Sequence, residues 1–484
     1  MAKVDIKSYG NKAGPLKAHE QTVMVKVTAP VTAKSCTSGL DIALVLDISG
    51  SMKGDKLAKM KKAMSFVLEK LGKNKIGDRV AIIPFASEAD KTHAKQLARV
   101  NKDALPKWAA FIDGLQAHGN TNMKAGLQVG VDLLLARRGK DAECTGVIFL
   151  MSDGVQTHGD AGAVADVSKV NVQTFGFGEK HEPKLLHTLA EKSHGGCYHS
   201  VKDEKDGNHL TKAFGQALAR FRSISIHNLE VTFKRHGPAI GKVEPGSYKQ
   251  KLLGESVTVD FGDVAREEAL RILVLLRLPV VPNPEGAKPV LEVECSYRVV
   301  EQTEKTVTKH QVHMERTKAT DQGEMKPEVM IEQVRRNVVA LLHDTRKLAG
   351  KVDFDTASDN LAARLNVLGD ITHPKSKVVS DYLAMDLNEL LELMESKEHY
   401  DKHGNAYALA AISSHERQRP TARGNIDDLP LFTTKRVLKY IEQANKVHKD
   451  PNAKIRIEQE PTHGADPNYN STCRHLLLVY NFTF

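Results

Sequence analysis

Acidic and hydroxyl side chains follow an apolar strand in the stretch from Leu40 to Met52. Asp47, Ser49 and Ser51 lie two residues apart, directly after the apolar run from Ile42 to Leu46. Ligands of open α/β sheets bind at the carboxyl ends of parallel strands, where these side chains would lie. One carboxylate and two hydroxyls form an all-oxygen ligand set, which suits Mg²⁺ or Mn²⁺ better than zinc. For an isolated motif, the alternative is that the serines only turn the chain and cap the next helix.

A second apolar strand ends in the same way, which favours the metal interpretation. The run from Gly146 to Met151 is continuously apolar, and Asp153 follows it in a Ser-Asp-Gly turn. A polar loop from His118 to Asn122 lies between two helical patterns and contains Thr121. Strand ends and loops of this kind meet at one edge of a parallel sheet. The candidate metal ligands are therefore Asp47, Ser49, Ser51, Thr121 and Asp153.

These positions resemble the metal-ion-dependent adhesion site of the von Willebrand factor A (vWA) domain. That site has Asp-x-Ser-x-Ser, then a threonine in a Gly-Thr-Asn-like loop, then an aspartate in a Ser-Asp-Gly turn, and this chain matches all five positions in order. The resemblance implies that Ser49, Ser51 and Thr121 bind Mg²⁺ directly. It implies that Asp47 and Asp153 bind largely through water, and that an Asp or Glu of a partner protein completes the coordination shell.

The resemblance extends beyond the metal motif, with two departures. The stretch from Ala408 to Gly424 is similar to the C-terminal part of plant vWA proteins, some of which carry an N-terminal RING finger and act as ubiquitin ligases. A RING finger needs eight Cys and His ligands in paired spacing, and the region before Asp41 holds one cysteine. We therefore expect a chain that lacks the RING finger and has no ligase activity of its own. Asn120 stands where relatives usually have glycine before the threonine, which would alter the reach of that loop towards the metal.

Strands and helices alternate from Asp41 to Arg222, which predicts a doubly wound, mainly parallel sheet. The next hundred residues have a period of two and predict a β-sandwich, which the strand from Gln21 to Val27 would join. Helical patterns follow. The predicted fold class is thus multidomain α/β, with the vWA sheet inserted into a β-sandwich and followed by an all-α segment. The predicted domains are an N-terminal segment 1–40, the vWA domain 41–222, the β-sandwich 223–320, a helical domain 321–448 and a tail 449–484 with a C-terminal strand.

Composition narrows the class of function. A chain of 484 residues with 41% apolar and 27% charged residues is typical of a soluble globular protein of two or three domains. The net charge of +9 is spread along the chain without a basic tail, so nucleic-acid binding gains no support. The apolar run from Ala269 to Val281 contains two arginines and is too short to span a membrane.

Cysteine usage and the N-terminus predict a cytosolic protein. No Cys-x-x-Cys pair is present, and scattered cysteines of odd number predict reduced, mostly buried thiols. The cysteines are Cys36, Cys144, Cys197, Cys295 and Cys473. The segment from Met1 to Leu16 has no apolar core of a signal peptide.

Catalytic interpretations of the same residues have less support. A haloacid-dehalogenase-type phosphotransferase needs a second aspartate where this chain has Ser49. Metal-assisted hydrolysis needs a positioned base, and none is identifiable. The segment from Gly237 to Val243 is one residue short of a phosphate-binding loop, and we interpret it as a turn between strands. The lysines of the predicted helix from Gly54 to Leu71 are interpreted as a solvated face, with the steering of an acidic partner as the alternative.

We therefore predict a cytosolic, non-enzymatic interaction module that binds acidic partner side chains through Mg²⁺ or Mn²⁺. The alternative is a non-catalytic factor of the ubiquitin pathway that associates with a RING-bearing vWA relative. A hydrolytic enzyme has the least support, and neither nucleic acid nor membrane is an expected partner.

Overall fold

The computed structural model describes residues 3–450 and residue 453, except 31–38, 74–76, 91–95, 140–143, 205–207, 301, 319–323, 351–352 and 426–430. The strands are β1 Asp5–Tyr9, β2 Ala13–Pro15, β3 His19–Thr28, β4 Leu40–Asp47, β5 Arg79–Phe85, β6 Ala98–Arg99, β7 Thr145–Ser152, β8 Asn171–Phe177, β9 Tyr198–Val201, β10 Ile224–Arg235, β11 Ala239–Glu244, β12 Lys249–Leu253, β13 Ser256–Ala265, β14 Ala269–Leu278, β15 Glu285–Val299 and β16 Lys305–Thr317. The helices are α1 Asp55–Gly72, α2 Leu105–Asp113, α3 Met123–Leu135, α4 Pro183–Lys192, α5 Asn208–Phe221, α6 Pro327–Ala349, α7 Phe354–Gly369, α8 Pro374–Glu392, α9 Lys397–His399, α10 Asn405–Arg417 and α11 Lys435–Lys449.

The segment from β4 to α5, here called the parallel domain, is built on a sheet with strand order β6-β5-β4-β7-β8-β9. All neighbouring strands are parallel except β6, which pairs antiparallel with β5. Along β4, Leu44 and Leu46 enter the core on one face of the sheet, while Ala43 and Val45 enter the core on the other. Burial on both faces explains why the strand is continuously apolar rather than alternating.

The β-sandwich is discontinuous in the chain. One sheet has the order β1-β3-β14-β11 and the other has β12-β13-β10-β15-β16-β2, so N-terminal strands contribute to both. The strand predicted between Gln21 and Val27 lies within β3, which pairs antiparallel with β14. Its valines Val23, Val25 and Val27 share one core with Val231 and Phe233 of β10, in the opposite sheet. The parallel domain is therefore inserted between β3 and β10, as the sequence predicts.

Helices α6, α7, α8 and α10 share an apolar core of their own and form the helical domain. The last helix, α11, packs elsewhere: Val437, Tyr440 and Ile441 join the core beneath α1 and α5 of the parallel domain. The C-terminal helical region thus forms the helical domain and, through α11, also completes the core of the parallel domain. Among the described residues, no helix combines the length and apolarity needed to cross a bilayer.

The segment from Arg417 to Arg423, here called the linking segment, is buried between all three parts. Arg419 donates hydrogen bonds to the carbonyl of Gly195 in the parallel domain (2.8 Å) and to that of Asp263 in the sandwich (3.0 Å). Arg423 donates to both carboxylate oxygens of Asp386 in α8 (3.0 and 2.8 Å). These contacts fix the three parts against one another.

The predicted fold class is confirmed, but four strands were not predicted: β1, β2, β11 and β16. Strand β16, which pairs with β15 over eleven registered positions, was not expected. The segment from Gly237 to Val243, interpreted as a turn, enters β11 at Ala239. β6 is a short edge strand of two residues, Ala98–Arg99. The predicted C-terminal strand, Cys36 and Cys473 lie outside the described residues.

Candidate metal site

The predicted ligands lie at the carboxyl edge of the parallel sheet. β4 ends at Asp47 and the neighbouring β7 ends at Ser152, one residue before Asp153. The turn after β4 is tied to the loop before α3 by two backbone hydrogen bonds, from the Gly50 N–H to the Gly119 carbonyl (3.1 Å) and from the His118 N–H to the Ile48 carbonyl (2.8 Å). Residues more than 60 positions apart are therefore held side by side.

A chain of hydrogen bonds connects the serines with Asp153. The Ser51 hydroxyl donates to Asp153 Oδ1 (2.7 Å), and the Oγ atoms of Ser49 and Ser51 are 3.0 Å apart. Ser49, Asp47 and Asp153 are buried, whereas Ser51 is exposed. A hydroxyl that donates its proton to a carboxylate keeps its oxygen lone pairs for a cation. The hydroxyls are thus suited to coordinate a hard metal ion.

Thr121 reaches the same place from the loop before α3. Its N–H donates to the Thr157 hydroxyl, and its carbonyl accepts from the Thr157 N–H, both at 3.0 Å. A Cβ placed on Gly154 would lie 3.3 Å from Ser51 Oγ and 3.6 Å from Thr121 Oγ1. Both hydroxyls therefore border one small space above Gly154, and the absence of a side chain there keeps that space open.

Asp47 is a buried carboxylate that is held in place by hydrogen bonds from neighbouring residues of the site. Its Oδ1 accepts the Ser49 N–H (2.8 Å) and its Oδ2 accepts the Ser152 hydroxyl (2.6 Å). Burial raises the pKa of Asp47, and the charge of Asp153 raises it further against the lowering effect of these hydrogen bonds. Two buried carboxylates close together favour a divalent cation, which would relieve their repulsion. The donor set fits Mg²⁺ or Mn²⁺ in chemistry: oxygen atoms only, two of them from acidic groups.

Lys56 of α1 places a third charge at the site. Its Nζ is 2.5 Å from Asp153 Oδ2, and its side chain is 21% exposed. The sequence analysis assigned the lysines of this helix to a solvated face, and Lys59 is likewise paired, with Asp203 (2.8 Å). A salt bridge to a residue 97 positions away leaves no local signal in the sequence.

Ser152 is the other contributor that the sequence analysis missed. Its hydroxyl orients Asp47, and it stands directly before Asp153 in the Ser-Asp-Gly turn, so that motif offered a signal for it. All five predicted ligands lie in the three neighbouring segments described above. Within the described part of the chain, no group of three or more His, Cys, Asp and Glu side chains is arranged to hold a metal. The candidate site differs from such groups because most of its oxygens are hydroxyls.

Two parts of the chain match known protein families. Residues 41–214 match the family described as "von Willebrand factor type A domain", and residues 377–446 match "VWA / Hh protein intein-like". The "Uncharacterized protein sll0103" of Synechocystis sp. is 31% identical over 195 residues, which cover 39% of this chain and 43% of that protein. The "E3 ubiquitin-protein ligase WAV3" of Arabidopsis thaliana is 25% identical over 271 residues, which cover 53% of this chain and 34% of the ligase. The chain thus spans less than half the length of these two relatives.

Among solved structures, "von Willebrand factor type A from Catenulispora acidiphila" has a similar fold. The two structures share a TM-score of 0.65 at 16% sequence identity, over 87% of this chain and 98% of that one. At this identity the similarity shows the fold alone. It extends over most of the chain and thus beyond the parallel domain.

Proposed function

We propose that this protein, whose residues 41–214 form a von Willebrand factor type A domain, is an interaction module that holds Mg²⁺ or Mn²⁺ at the edge of its parallel sheet. Through this ion it would bind an exposed Asp or Glu of a partner protein. Ser49, Ser51 and Thr121 would hold the ion directly. Asp47 and Asp153 would hold it largely through water. These roles follow from the resemblance of the motif and from the chemistry of the donor set.

One observation carries the proposal: the Ser51 hydroxyl contacts both Ser49 and Asp153, although Asp153 is 102 residues away. Segments that are distant in the sequence thus supply oxygen atoms to one small space, and Thr121 borders it as well. When bound, the ion would supply an electrophilic centre for one more anionic oxygen. Because the direct ligands are uncharged hydroxyls, they would neutralise little of its charge, and a partner carboxylate is the ligand that this leaves room for.

We propose in addition that the module is not an enzyme and acts in the cytosol. Near the candidate ligands, the described residues include His181, but both ring nitrogens are hydrogen-bonded, to the Gly178 carbonyl and the Tyr198 hydroxyl. Burial lowers the pKa of His181 to about 4, which makes it a poor base at neutral pH. The buried cysteines Cys197 and Cys295 are free thiols, which supports a reducing compartment.

Metal titration tests the proposal. We expect Mn²⁺ and Mg²⁺ to bind the wild-type protein in isothermal titration calorimetry, and Ser49→Ala/Ser51→Ala to weaken binding by at least roughly 100-fold, since two direct ligands are lost. Ser65→Ala is the matched control, because the Ser65 hydroxyl donates to the Lys61 carbonyl within α1. Equal metal affinity of the wild type and the double variant would refute the proposal. Partner capture with and without EDTA then tests whether the interaction depends on the metal.

A second candidate function is supported by the similarity to the E3 ubiquitin-protein ligase, which covers 53% of this chain. In this case the protein would associate with a ligase of that type as a non-catalytic factor. Mixing the purified chain with such a ligase and measuring complex formation by size-exclusion chromatography tests it. A complex that persists in EDTA supports this function over the metal-dependent one, and no complex in either buffer excludes it.

A further inference from the structure

A row of three cationic side chains crosses the β1-β3-β14-β11 sheet of the sandwich. Lys26 of β3 has Lys7 of β1 as its registered neighbour on one side and Arg271 of β14 on the other. Registered neighbours on antiparallel strands have Cβ atoms about 5 Å apart, so the three side chains lie together on one face of the sheet. Like charges that stand directly opposite each other on a sheet are destabilising. Lys26 is therefore repelled from both sides.

This row lies on the face of the sheet that α6 partly covers, outside the core of the sandwich. Val25 and Val27 enter the sandwich core on either side of Lys26 in the sequence. Because side chains alternate along a strand, Met24 and Lys26 point to the other face. Met24 packs there against Val329 of α6. The Lys26 side chain thus lies next to the contact between the sheet and the helix, where it is half-buried.

The acidic groups around the row are paired with other cations. Among the described residues, no carboxylate lies within ion-pair distance of Lys26. Burial raises the pKa of Tyr9, the titratable neighbour on β1, so this phenol is uncharged at neutral pH. The ion pairs of the surrounding carboxylates are Asp5 with Lys7 (3.8 Å), Glu328 of α6 with Lys375 (3.3 Å) and Glu332 of α6 with Arg335 (2.5 Å).

Lys26 has the surroundings of a nucleophilic lysine. Burial lowers its pKa to about 8, together with the charges of Arg271 and Lys7 and against the opposing effect of Asp5. At about pH 8, half of the Lys26 side chains therefore carry the neutral amine, which is the nucleophilic form. Removal from water and a cationic neighbour are the two ways in which proteins activate a lysine amine. Both conditions are met at this position.

From this arrangement we infer that Lys26 is a carbamate site, at which CO₂ adds reversibly to the side-chain nitrogen between Lys7 and Arg271. The amine nitrogen attacks the carbon of CO₂, a C–N bond forms, and one electron pair of a C=O bond moves onto oxygen. The nitrogen then loses one proton to water, so the step needs no oxidant, reductant or leaving group. The product is an anion with a cation on each side, and the repulsion within the row becomes attraction. This inference is independent of the proposed metal site.

The geometry favours CO₂ over other electrophiles that react with amines. An acylated Lys26 would be neutral, so it would lose its own charge without gaining an ion pair with Lys7 or Arg271. A carbamate uses both flanking cations, which stand in register with it. CO₂ is also small enough to reach a half-buried nitrogen beside α6. The modification should strengthen the packing of this face, because it replaces the central one of three like charges.

Chemical trapping of the carbamate tests the inference. Triethyloxonium ion converts a carbamate into a stable ethyl ester, which mass spectrometry of a proteolytic digest assigns to one residue. After incubation of the full chain in bicarbonate buffer at about pH 8, we expect the ester at Lys26, and none in buffer purged of CO₂. Lys251 of β12 is the internal control, since it is exposed on its strand and should stay unmodified. Bicarbonate should also raise the melting temperature of the wild type and leave that of Lys26→Arg unchanged.

Two variants of β1 should change the trapped fraction in opposite directions. Lys7→Gln should lower it by roughly twofold to fivefold, because the carbamate loses a cationic neighbour and the pKa of the amine rises. Asp5→Asn should raise it by a similar factor, because a carboxylate that repels the carbamate is removed. Both side chains are partly exposed, so neither change should prevent folding. No trapped ester at Lys26, equal trapping at Lys251, or a change of the same sign in both variants would overturn the inference.

Discussion

Replacement of Lys56 by methionine should strengthen Mg²⁺ binding, because the lysine would compete with the proposed metal ion for Asp153. The ammonium group is 2.5 Å from Asp153 Oδ2, on a carboxylate that is fully buried. Lys56→Met keeps the aliphatic part of the side chain and removes only the charge. Without that charge, Asp153 has no cationic neighbour at this distance, so a divalent ion gains the full attraction of the carboxylate.

The size of the effect follows from the geometry. Two unit charges about 4 Å apart near a protein surface interact by about 4 kcal/mol at an effective dielectric constant of 20. We take this energy as the upper limit of the gain. The Lys56 side chain is 21% exposed, so solvent screens part of this and allows the side chain to swing away when a metal binds. A net gain of about 1.4–2.8 kcal/mol remains, which corresponds to a roughly 10-fold to 100-fold increase in Mg²⁺ affinity.

Calorimetric titration with Mg²⁺ measures this gain, and thermal unfolding provides a second readout. In the absence of metal, the variant should unfold at a lower temperature than the wild type, because Asp153 loses its counter-charge. Saturating Mg²⁺ should remove this difference, because the ion supplies the missing positive charge. Lys61→Met is the matched control, since the Lys61 ammonium on the same helix bonds to the carbonyl of Asp113. Unchanged or weaker Mg²⁺ affinity of a folded Lys56→Met protein would refute the reasoning.

Three further predictions concern the space above the metal site, a buried carboxylate and a buried histidine. Gly154→Ala should weaken Mg²⁺ binding in the same titration by roughly threefold to tenfold, because the new Cβ would lie 3.3 Å from Ser51 Oγ. The control Gly369→Ala should leave Mg²⁺ binding unchanged, because its new Cβ would have no atom within 4 Å. Asp386→Asn should lower the free energy of unfolding in urea by about 3–5 kcal/mol, because the buried Arg423 of the linking segment loses its counter-charge. An equal loss of stability in Asp381→Asn, which removes an exposed carboxylate, would contradict this explanation. Burial lowers the pKa of His199 to about 3. Below pH 6.5 the unfolded chain therefore binds a proton at His199 that the folded chain does not bind. The free energy of unfolding should fall by about 1.4 kcal/mol per pH unit as the pH falls from 6.5 towards 4. The melting temperature measured at pH 7.5 and 5.5 should therefore differ less in His199→Gln than in the wild type.

The sequence predicts well those features that depend on local pattern. β4 is apolar from Ile42 to Leu46 and β7 from Val147 to Met151, because both faces of each strand are covered. Asp47, Ser49, Ser51 and Asp153 were predicted because they follow these strands, and Thr121 was predicted from the motif of its loop. Because the strands are parallel, their carboxyl ends lie at the same edge of the sheet, and no long-range contact has to be predicted to place these residues together.

Features that depend on distant partners were not predicted. β16 is a polar strand that exposes one face, and its alternation of lysine, threonine and histidine lacks the apolar contrast that indicates a strand. The pattern of α11 reveals an apolar face but not that this face packs on α1 and α5. The same limit applies to Lys56, whose helical position predicts solvent and whose partner lies across the sheet.

The linking segment connects these observations with binding. The Ala422 N–H donates to His199 Nδ1 (3.0 Å), and the Ala422 carbonyl accepts from Ser200, so the linking segment is bonded to β9 itself. Two residues later, Gly424 lines a cavity of about 680 Å³ that lies between the strand ends and the helical domain. Because the same few residues also hold Asp386 of the helical domain, the two walls of the cavity cannot separate without breaking buried polar contacts. The candidate metal ligands and the helical domain are therefore held at a fixed separation by buried hydrogen bonds.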